Sequence, residues 1–198
     1  MPKLNKIPTY QQGWFIIPGV KSNGYRTLTE QLTNLDMALA AADGKSVLDL
    51  GCAEGLIAKT FACKGARRVD ALTIVQGEID IGRTLCDGLP VNFHQVDLRD
   101  FDRWANKNPL TLLPQYDMLL LLSIIHKMRD IGRFIEQVLP LAADWLVVRS
   151  AEVIIDVRSD FKPYALKKRL LQDFDLQFEG PGPQGEWVGI FRRKQGTA

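Results

Sequence analysis

A short apolar run followed at once by small residues constrains the fold of this chain more than any other feature. The run Val47–Leu50 has the length of a buried strand, and Gly51, Ala53 and Gly55 follow it before an apolar helical pattern begins at Leu56. Because glycine has no side chain, such a turn can reverse sharply and lie close to a ligand, next to the free N–H groups that begin the helix. The stretch predicts a strand, a tight turn and a helix, the opening unit of a nucleotide-binding α/β sheet.

The spacing of the glycines separates two classes of ligand. A dinucleotide fingerprint has its third glycine five positions after the first, where this chain has Leu56, and here the last glycine of the turn is Gly55. The match to an NAD-binding turn is therefore poor. The other interpretation is that these glycines only let the helix pack closely on the strand, and the short motif alone does not decide between binding and packing.

The residues 47–55, VLDLGCAEG, resemble motif I of the class I S-adenosylmethionine (SAM) dependent methyltransferases. The resemblance implies a Rossmann-like α/β fold in one domain, with a mostly parallel seven-stranded sheet, a C-terminal antiparallel hairpin and helices on both faces. It implies SAM as the cofactor, with Asp49 near the methionine amino group. The turn residues that the resemblance assigns to SAM are Gly51, Cys52, Ala53 and Gly55.

Length and composition are those of an ordinary globular domain. The chain has 198 residues, of which 46% are hydrophobic and 24% charged, and its net charge of +2 does not require a nucleic-acid partner. The scattered cysteines and the absence of a signal-like or membrane-spanning run favour a cytoplasmic protein without membrane contact. No metal site is predicted, and the oligomeric state stays open.

The chain is predicted to divide into an N-terminal arm, residues 1–28, and a methyltransferase domain, residues 29–198. The arm contains the aromatic residues Tyr10, Trp14 and Phe15, and it is interpreted either as a lid over a pocket or as a segment that packs on the domain. Leucines at helical spacing predict one helix from about Thr29 to Ala42 ahead of the first strand.

Further strands are predicted along the rest of the chain, and a glycine-rich connection near the C-terminus predicts a hairpin. The predicted strands are Arg68–Ile74, Val91–Val96, Tyr116–Ser123, Trp145–Arg149, Phe174–Glu179 and Glu186–Arg192.

The end of the second strand lacks the acid that such sites use. In nucleotide-binding sheets a carboxylate about 20 residues beyond the glycine turn accepts hydrogen bonds from the ribose hydroxyls. Counting 73 − 51 = 22 places Thr73 there, followed by Ile74, and both are predicted to contact the cofactor. A neutral hydroxyl binds a ribose hydroxyl more weakly than a carboxylate does.

Asp97 and Leu98 directly follow the third strand. The resemblance implies that the Asp97 carboxylate accepts a hydrogen bond from the adenine amino group and that the Leu98 backbone meets the ring. The alternative is that Asp97 caps the segment that begins near Phe101.

The end of the fourth strand is predicted to face the reacting group, because ligand crevices form where the strand order reverses. Leu121, Ser123 and His126 lie at this end. His126 is the candidate general base, since an unperturbed imidazole titrates near neutral pH. The alternative is a histidine that only lines the loop before the helix Ile131–Leu141.

These residues predict a SAM-dependent methyltransferase that transfers a methyl group by in-line displacement to a small-molecule acceptor. One alternative is an RNA methyltransferase that uses the basic clusters 167–169 and 192–194. Another is a SAM-binding protein without transfer activity, for which Thr73 is the support.

Overall fold

The computed structural model of the chain describes residues 26–150 and 163–196. Within them a single seven-stranded sheet has the strand order β3-β2-β1-β4-β5-β7-β6. The strands are β1 Ser46–Leu50, β2 Arg68–Thr73, β3 Val91–Gln95, β4 Tyr116–Leu122, β5 Ala142–Ser150, β6 Phe174–Pro181 and β7 Trp187–Arg193.

Strands β1 to β5 are parallel, whereas β7 lies antiparallel between β5 and β6. This confirms the predicted α/β fold, the mostly parallel sheet and the closing hairpin, with strand ends that differ by a few residues from those predicted. The chain runs outward from β1 to β3 and then returns to β4 on the other side of β1. The carboxyl ends of β1 and β4 therefore form the switch point where such sheets bind ligands.

Helices cover both faces of the sheet, as predicted. The α-helices in the described residues are α1 Leu28–Gln31, α2 Asp36–Ala40, α3 Leu56–Cys63, α4 Gln76–Leu85, α5 Phe101–Lys107, α6 Ile131–Val138 and α7 Pro163–Asp173. One apolar layer contains buried residues of α2, α3 and α4, and the other contains those of α5, α6 and α7.

The central position of β4 explains why its sequence does not alternate between apolar and polar residues. Met118 and Leu120 pack in the first layer, while Leu119 and Leu121 pack in the second. Successive side chains point to opposite faces of a strand, so a strand covered on both faces has to be apolar throughout. Full burial of each such side chain contributes about 1.5–3 kcal/mol relative to exposure.

The predicted single helix over residues 29–42 is wrong, because the chain forms two short helices there. Thr27 caps α1 in a capping box with Glu30, which moves the helix start to Leu28. Asn34, between α1 and α2, has a φ of +59° and donates from Nδ2 to Pro181 O at 2.6 Å. This contact with β6 fixes a turn that interrupts the leucine pattern. Residues 1–25 of the N-terminal arm lie outside the described residues.

Candidate functional site

The turn between β1 and α3 has the backbone geometry that its small residues predict. Gly51, Ala53 and Gly55 have φ angles of +88°, +48° and +77°, in the left-handed region that favours glycine. The N–H groups of Gly51 and Cys52 both donate to Leu72 O at 2.9 Å. These bonds tie the turn to the end of β2, so its position at the switch point is fixed.

Two glycines of the turn are also needed for contacts inside the protein. A Cβ atom on Gly51 would lie 2.8 Å from Ile124 Cδ1, and one on Gly55 would lie 2.5 Å from Phe93 Cζ. A Cβ on Gly82 of α4 would meet the same Phe93 ring at 2.5 Å. The packing interpretation therefore applies to Gly55, which lets α3, α4 and β3 approach closely. Gly51 instead accommodates the segment that follows β4.

Asp49 brings a carboxylate into the interior beside this turn. It is 2% exposed, and its Oδ2 has no hydrogen-bond partner among the described residues. Burial raises the pKa of this carboxyl to about 7, and the nearby charge of Arg149 limits the rise. An unpartnered buried carboxylate costs free energy, so this oxygen is suited to a ligand that carries an ammonium group.

The end of β2 meets an acid that the sequence analysis missed. The Thr73 hydroxyl donates a hydrogen bond to Oε2 of Glu78, in the first turn of α4. Thr73 is 6% exposed and Glu78 is 3% exposed, whereas Ile74 is 48% exposed. An acid in the first turn of the helix after a strand was the signal in the sequence, since helix N-termini favour negative charge.

Cys52 is close to both of these carboxylates. Burial raises the pKa of the Cys52 thiol well above its ordinary value, and the charges of Asp49 and Glu78 raise it further. The thiol is 4% exposed, and its Sγ lies 3.4 Å from Ala53 O. Asp49 and Glu78 thus both lie near the glycine turn, one at the end of β1 and one beyond the end of β2.

Asp97 caps the short 3-10 turn Leu98–Asp100, whereas the helix that begins at Phe101 has Asp100 at its N-cap. The Asp97 Oδ1 accepts from Arg99 N at 3.0 Å, and the Arg99 guanidinium lies 2.5 Å from its Oδ2. Hydrogen bonds from the Arg99 side chain hold the pKa of Asp97 below its ordinary value. Leu98 is buried at 6% exposure. Contact of Asp97 with an adenine ring stays a prediction, and Arg99 already occupies both oxygens of this carboxylate.

The three residues predicted at the end of β4 have different surroundings. Leu121 is completely buried in the apolar layer that also contains residues of α6 and α7. Ser123 has a φ of +57°, and its hydroxyl donates to Glu186 Oε1 at 2.7 Å. His126 is half-buried, and its Nδ1 has no hydrogen-bond partner among the described residues.

The surroundings of His126 favour the neutral imidazole. Burial lowers the pKa of His126, the charge of Lys127 lowers it further, and the carboxylate of Glu186 opposes this shift. A neutral imidazole is the form that takes up a proton, so the ring is in the state that a general base requires.

A buried ionic group that sequence reasoning missed lies next to Ser123. We call Arg149, Glu186, Ser123 and Gln31 the Arg149 cluster. Arg149 is 3% exposed; its Nε donates to Ser123 Oγ at 2.8 Å and lies 3.4 Å from Glu186 Oε2. Its Nη1 donates to Gln31 O at 2.8 Å. A charged residue at the end of an apolar strand was the only signal, and it did not identify the partners.

A cavity of about 690 Å³ lies between the segments 98–107 and 128–137. Leu98 is the only predicted site residue that lines it. Its walls combine apolar side chains with charges of both signs, including Arg103, Lys107, Arg129 and Asp130. The cavity therefore adjoins the predicted adenine end and does not contain Asp49, Ser123 or His126.

The basic clusters considered for RNA binding are largely engaged within the protein. Arg193 donates to Ala142 O and Leu139 O, and Lys194 donates to Leu171 O. Carboxylates pair with most of the other cations, namely Lys167 with Glu179, Arg169 with Glu136 and Asp173, and Arg192 with Asp144. These charges are therefore not a free basic surface.

Three other features bear on the kind of site. In residues 26–150 and 163–196, no three His, Cys, Asp or Glu side chains are grouped so that they could hold a metal ion. In the same ranges, no helix has both the length and the apolar character needed to cross a membrane. Cys52, Cys63 and Cys86 are free thiols.

Comparison with known proteins identifies the fold. No family model and no curated protein matches the chain. Among solved structures, magnesium protoporphyrin IX methyltransferase from Synechocystis PCC 6803, with bound SAM, is 18% identical, with a TM-score of 0.64 over 84% of this chain and 81% of that one. A putative SAM-dependent methyltransferase from Listeria monocytogenes is 14% identical, with a TM-score of 0.67 over 84% and 99%.

A third similar structure is the N-methyltransferase NodS from Bradyrhizobium japonicum WM9 in complex with S-adenosylhomocysteine. It is 14% identical, with a TM-score of 0.59 over 80% of this chain and 85% of that one. The chain therefore has the fold of the class I SAM-dependent methyltransferases, as motif I and the closing hairpin predict.

Proposed function

We propose that this protein is a SAM-dependent methyltransferase that acts on a small-molecule acceptor. The observation that carries the proposal is the unpartnered, buried Oδ2 of Asp49. It lies beside a glycine turn at the switch point of a fold that solved SAM-dependent methyltransferases share. An ammonium group on the ligand would satisfy this oxygen and offset the cost of burying the carboxylate.

The residues present fit SAM at more than one point. Asp49 would bind the methionine ammonium, and the backbone of the turn at Gly51 and Ala53 would lie against the methionine part of SAM. Ile74 is an exposed apolar side chain at the end of β2, where it would pack against the adenosine. Bound SAM supplies a methyl group on a positively charged sulfur, which an acceptor atom attacks while the carbon–sulfur electron pair stays with the sulfur.

In methyl transfer, the protein's own residues would position the two reactants and accept one proton from the acceptor. Holding donor and acceptor in line removes much of the barrier to a displacement of this kind. His126 would accept the acceptor's proton through Nδ1, the ring nitrogen without a partner among the described residues. The Arg149 cluster would hold Ser123 and the start of β7 in place beside it.

Two observations support a small-molecule acceptor over RNA. The basic clusters 167–169 and 192–194 are largely paired with carboxylates and carbonyls. The named substrate of one structural neighbour, magnesium protoporphyrin IX, is a small molecule. RNA methylation and SAM binding without transfer are kept as alternatives that the experiments below separate.

The first test is isothermal titration with SAM and with S-adenosylhomocysteine. We expect both ligands to bind. We expect Asp49→Asn to weaken the binding of SAM by at least about tenfold, since a charged hydrogen bond contributes about 1.5–3 kcal/mol. Asp87→Asn, at an exposed site, is the control and should bind as the wild type does. Failure of both ligands to bind at millimolar concentration would refute the proposal.

The second test identifies the acceptor class with SAM labelled at the methyl group. The protein is incubated with a small-molecule extract and, separately, with total RNA, and label transfer is followed in each. Label in the extract, reduced in His126→Gln, supports the proposal. Label in RNA supports the first alternative, and SAM binding without transfer to either supports the second.

A further inference from the structure

The missing acid at the end of β2 leaves open how this site would recognise a ribose. In related sheets a carboxylate there accepts hydrogen bonds from the ribose hydroxyls. Asp70, earlier in β2, is not available, because its two oxygens already accept four hydrogen bonds. The donors are Arg68 Nε, Asn92 Nδ2, the ring of His94 and the Tyr116 hydroxyl.

We propose that Glu78 is the ribose-binding carboxylate of this protein and that Thr73 is its positioning residue; this inference rests on the proposed function above. Glu78 lies five residues after Thr73 in the sequence, in the first turn of α4. It nevertheless contacts the end of β2 through its hydrogen bond with Thr73. The substitution of threonine for the usual acid therefore moves the carboxylate to the next element and does not remove it.

The position of Glu78 agrees with this role. Its charge acts on the Cys52 thiol in the glycine turn. It also acts on Lys127, which follows β4: burial lowers the pKa of that ammonium and Glu78 opposes the shift. Glu78 therefore lies within electrostatic reach both of the turn and of the segment after β4, the two elements that border the switch point.

The hydrogen bond defines separate roles for the two side chains. A threonine hydroxyl has one proton, and here Thr73 uses it to donate a hydrogen bond to Glu78. Thr73 therefore offers a ligand only an acceptor, whereas Glu78 supplies the negative charge that makes hydrogen bonds to ribose hydroxyls strong. Loss of the Thr73 hydroxyl should loosen Glu78, and loss of the Glu78 charge should remove the ribose interaction itself.

The competing explanation is that Glu78 only stabilises the N-terminus of α4, since an acid in the first turn interacts favourably with the helix dipole. Such a role affects folding and does not distinguish a ribose from a dideoxyribose. The ratio of affinities for two ligands that differ only in their ribose hydroxyls therefore separates the two explanations.

The experiment is titration calorimetry with S-adenosylhomocysteine and its 2′,3′-dideoxy analogue. We expect the wild type to prefer the hydroxylated ligand by about 10- to 100-fold, as charged hydrogen bonds allow. In Glu78→Gln most of this preference should be lost, with the affinity for the dideoxy ligand unchanged. Asp80→Asn removes an exposed charge from the same helix and should keep the wild-type preference.

Substitutions at Thr73 keep the test valid if Glu78→Gln does not fold. Thr73→Val should lose part of the preference, and Thr73→Ser, which keeps the hydroxyl, should retain it. A folded Glu78→Gln or Thr73→Val with the wild-type preference overturns the inference while leaving the proposed function intact. If the wild type binds neither ligand, the proposed function itself has failed.

Discussion

The Ser123 hydroxyl donates a 2.7 Å hydrogen bond to Glu186 Oε1, which joins the residue after β4 to the residue before β7. The two residues lie 63 positions apart in the sequence, and Arg149 lies against both. One side of the candidate active site is therefore held by a buried charge pair that connects β4, β5 and the closing hairpin.

Breaking this charge pair should destabilise the protein. Glu186→Gln leaves the Arg149 guanidinium buried without its counter-charge, and we expect a loss of about 3 kcal/mol in the free energy of unfolding. Glu179→Gln, which breaks an exposed pair with Lys167, should cost much less. Urea denaturation measures both.

The double substitution Arg149→Met with Glu186→Gln tests whether the two charges act as a pair. Its cost should be smaller than the sum of the two single substitutions, because neither charge is left alone. Additive costs would show that the pair is not coupled.

Gly51→Ala should destabilise the protein more than Gly88→Ala. Both positions have positive φ, which costs an alanine about 1–2 kcal/mol. A Cβ at Gly88 has nothing within 4 Å, whereas one at Gly51 meets Ile124. Ile124→Ala removes Cδ1 and Cγ1 but keeps Cβ, which lies 3.1 Å from the added atom. Measured against Ile124→Ala alone, Gly51→Ala should therefore recover part of its excess cost. Equal Tm losses for the two glycine variants would contradict the close approach of Ile124.

The affinity for SAM should rise with pH through the titration of Asp49. The ionised carboxylate binds the ligand's ammonium, and a pKa of about 7 leaves only a minority of the protein ionised at pH 6. Calorimetry should show up to about eightfold tighter binding at pH 7.5 than at pH 6. Adenosine, which lacks the methionine part, is the control and should show no such change.

Without ligand, Asp49 should make the protein less stable at high pH. Its pKa in the folded protein is about 7, against an ordinary value of 3.8. A raised pKa means that this group's contribution to stability is present below the ordinary value and is lost as the pH rises through 7. The free energy of unfolding of Asp49→Asn should therefore rise relative to that of the wild type between pH 4 and pH 8, by up to about 4 kcal/mol. A constant difference across this range would contradict the shift.

His126 should titrate below the ordinary histidine pKa of 6.5, because it is half-buried and near Lys127. The chain has two histidines, so His126→Gln assigns its signal in an NMR titration. Lys127→Met should move the pKa of His126 back toward 6.5. An unshifted pKa would contradict the effect of burial and Lys127, and a pKa raised above 7 would remove the support for a neutral base at pH 7.

Much of the fold could be predicted from the sequence because the patterns that carry it are local. The apolar run of β4 indicates burial on both faces, and the glycine turn after β1 indicates a sharp reversal. The interruption of the first predicted helix could not be predicted in this way. It depends on Asn34 and its bond to Pro181, which is 147 residues away in the sequence.

The same distinction holds in the candidate site. The sequence by itself determined the glycine turn with Asp49, the place of Thr73 and the position of His126 after β4, because each follows from its neighbours along one strand. Only the tertiary structure decided that Glu78 meets Thr73 and that Arg149 pairs with Glu186. Those partners come from different elements, so their contacts exist only once the sheet and helices have packed.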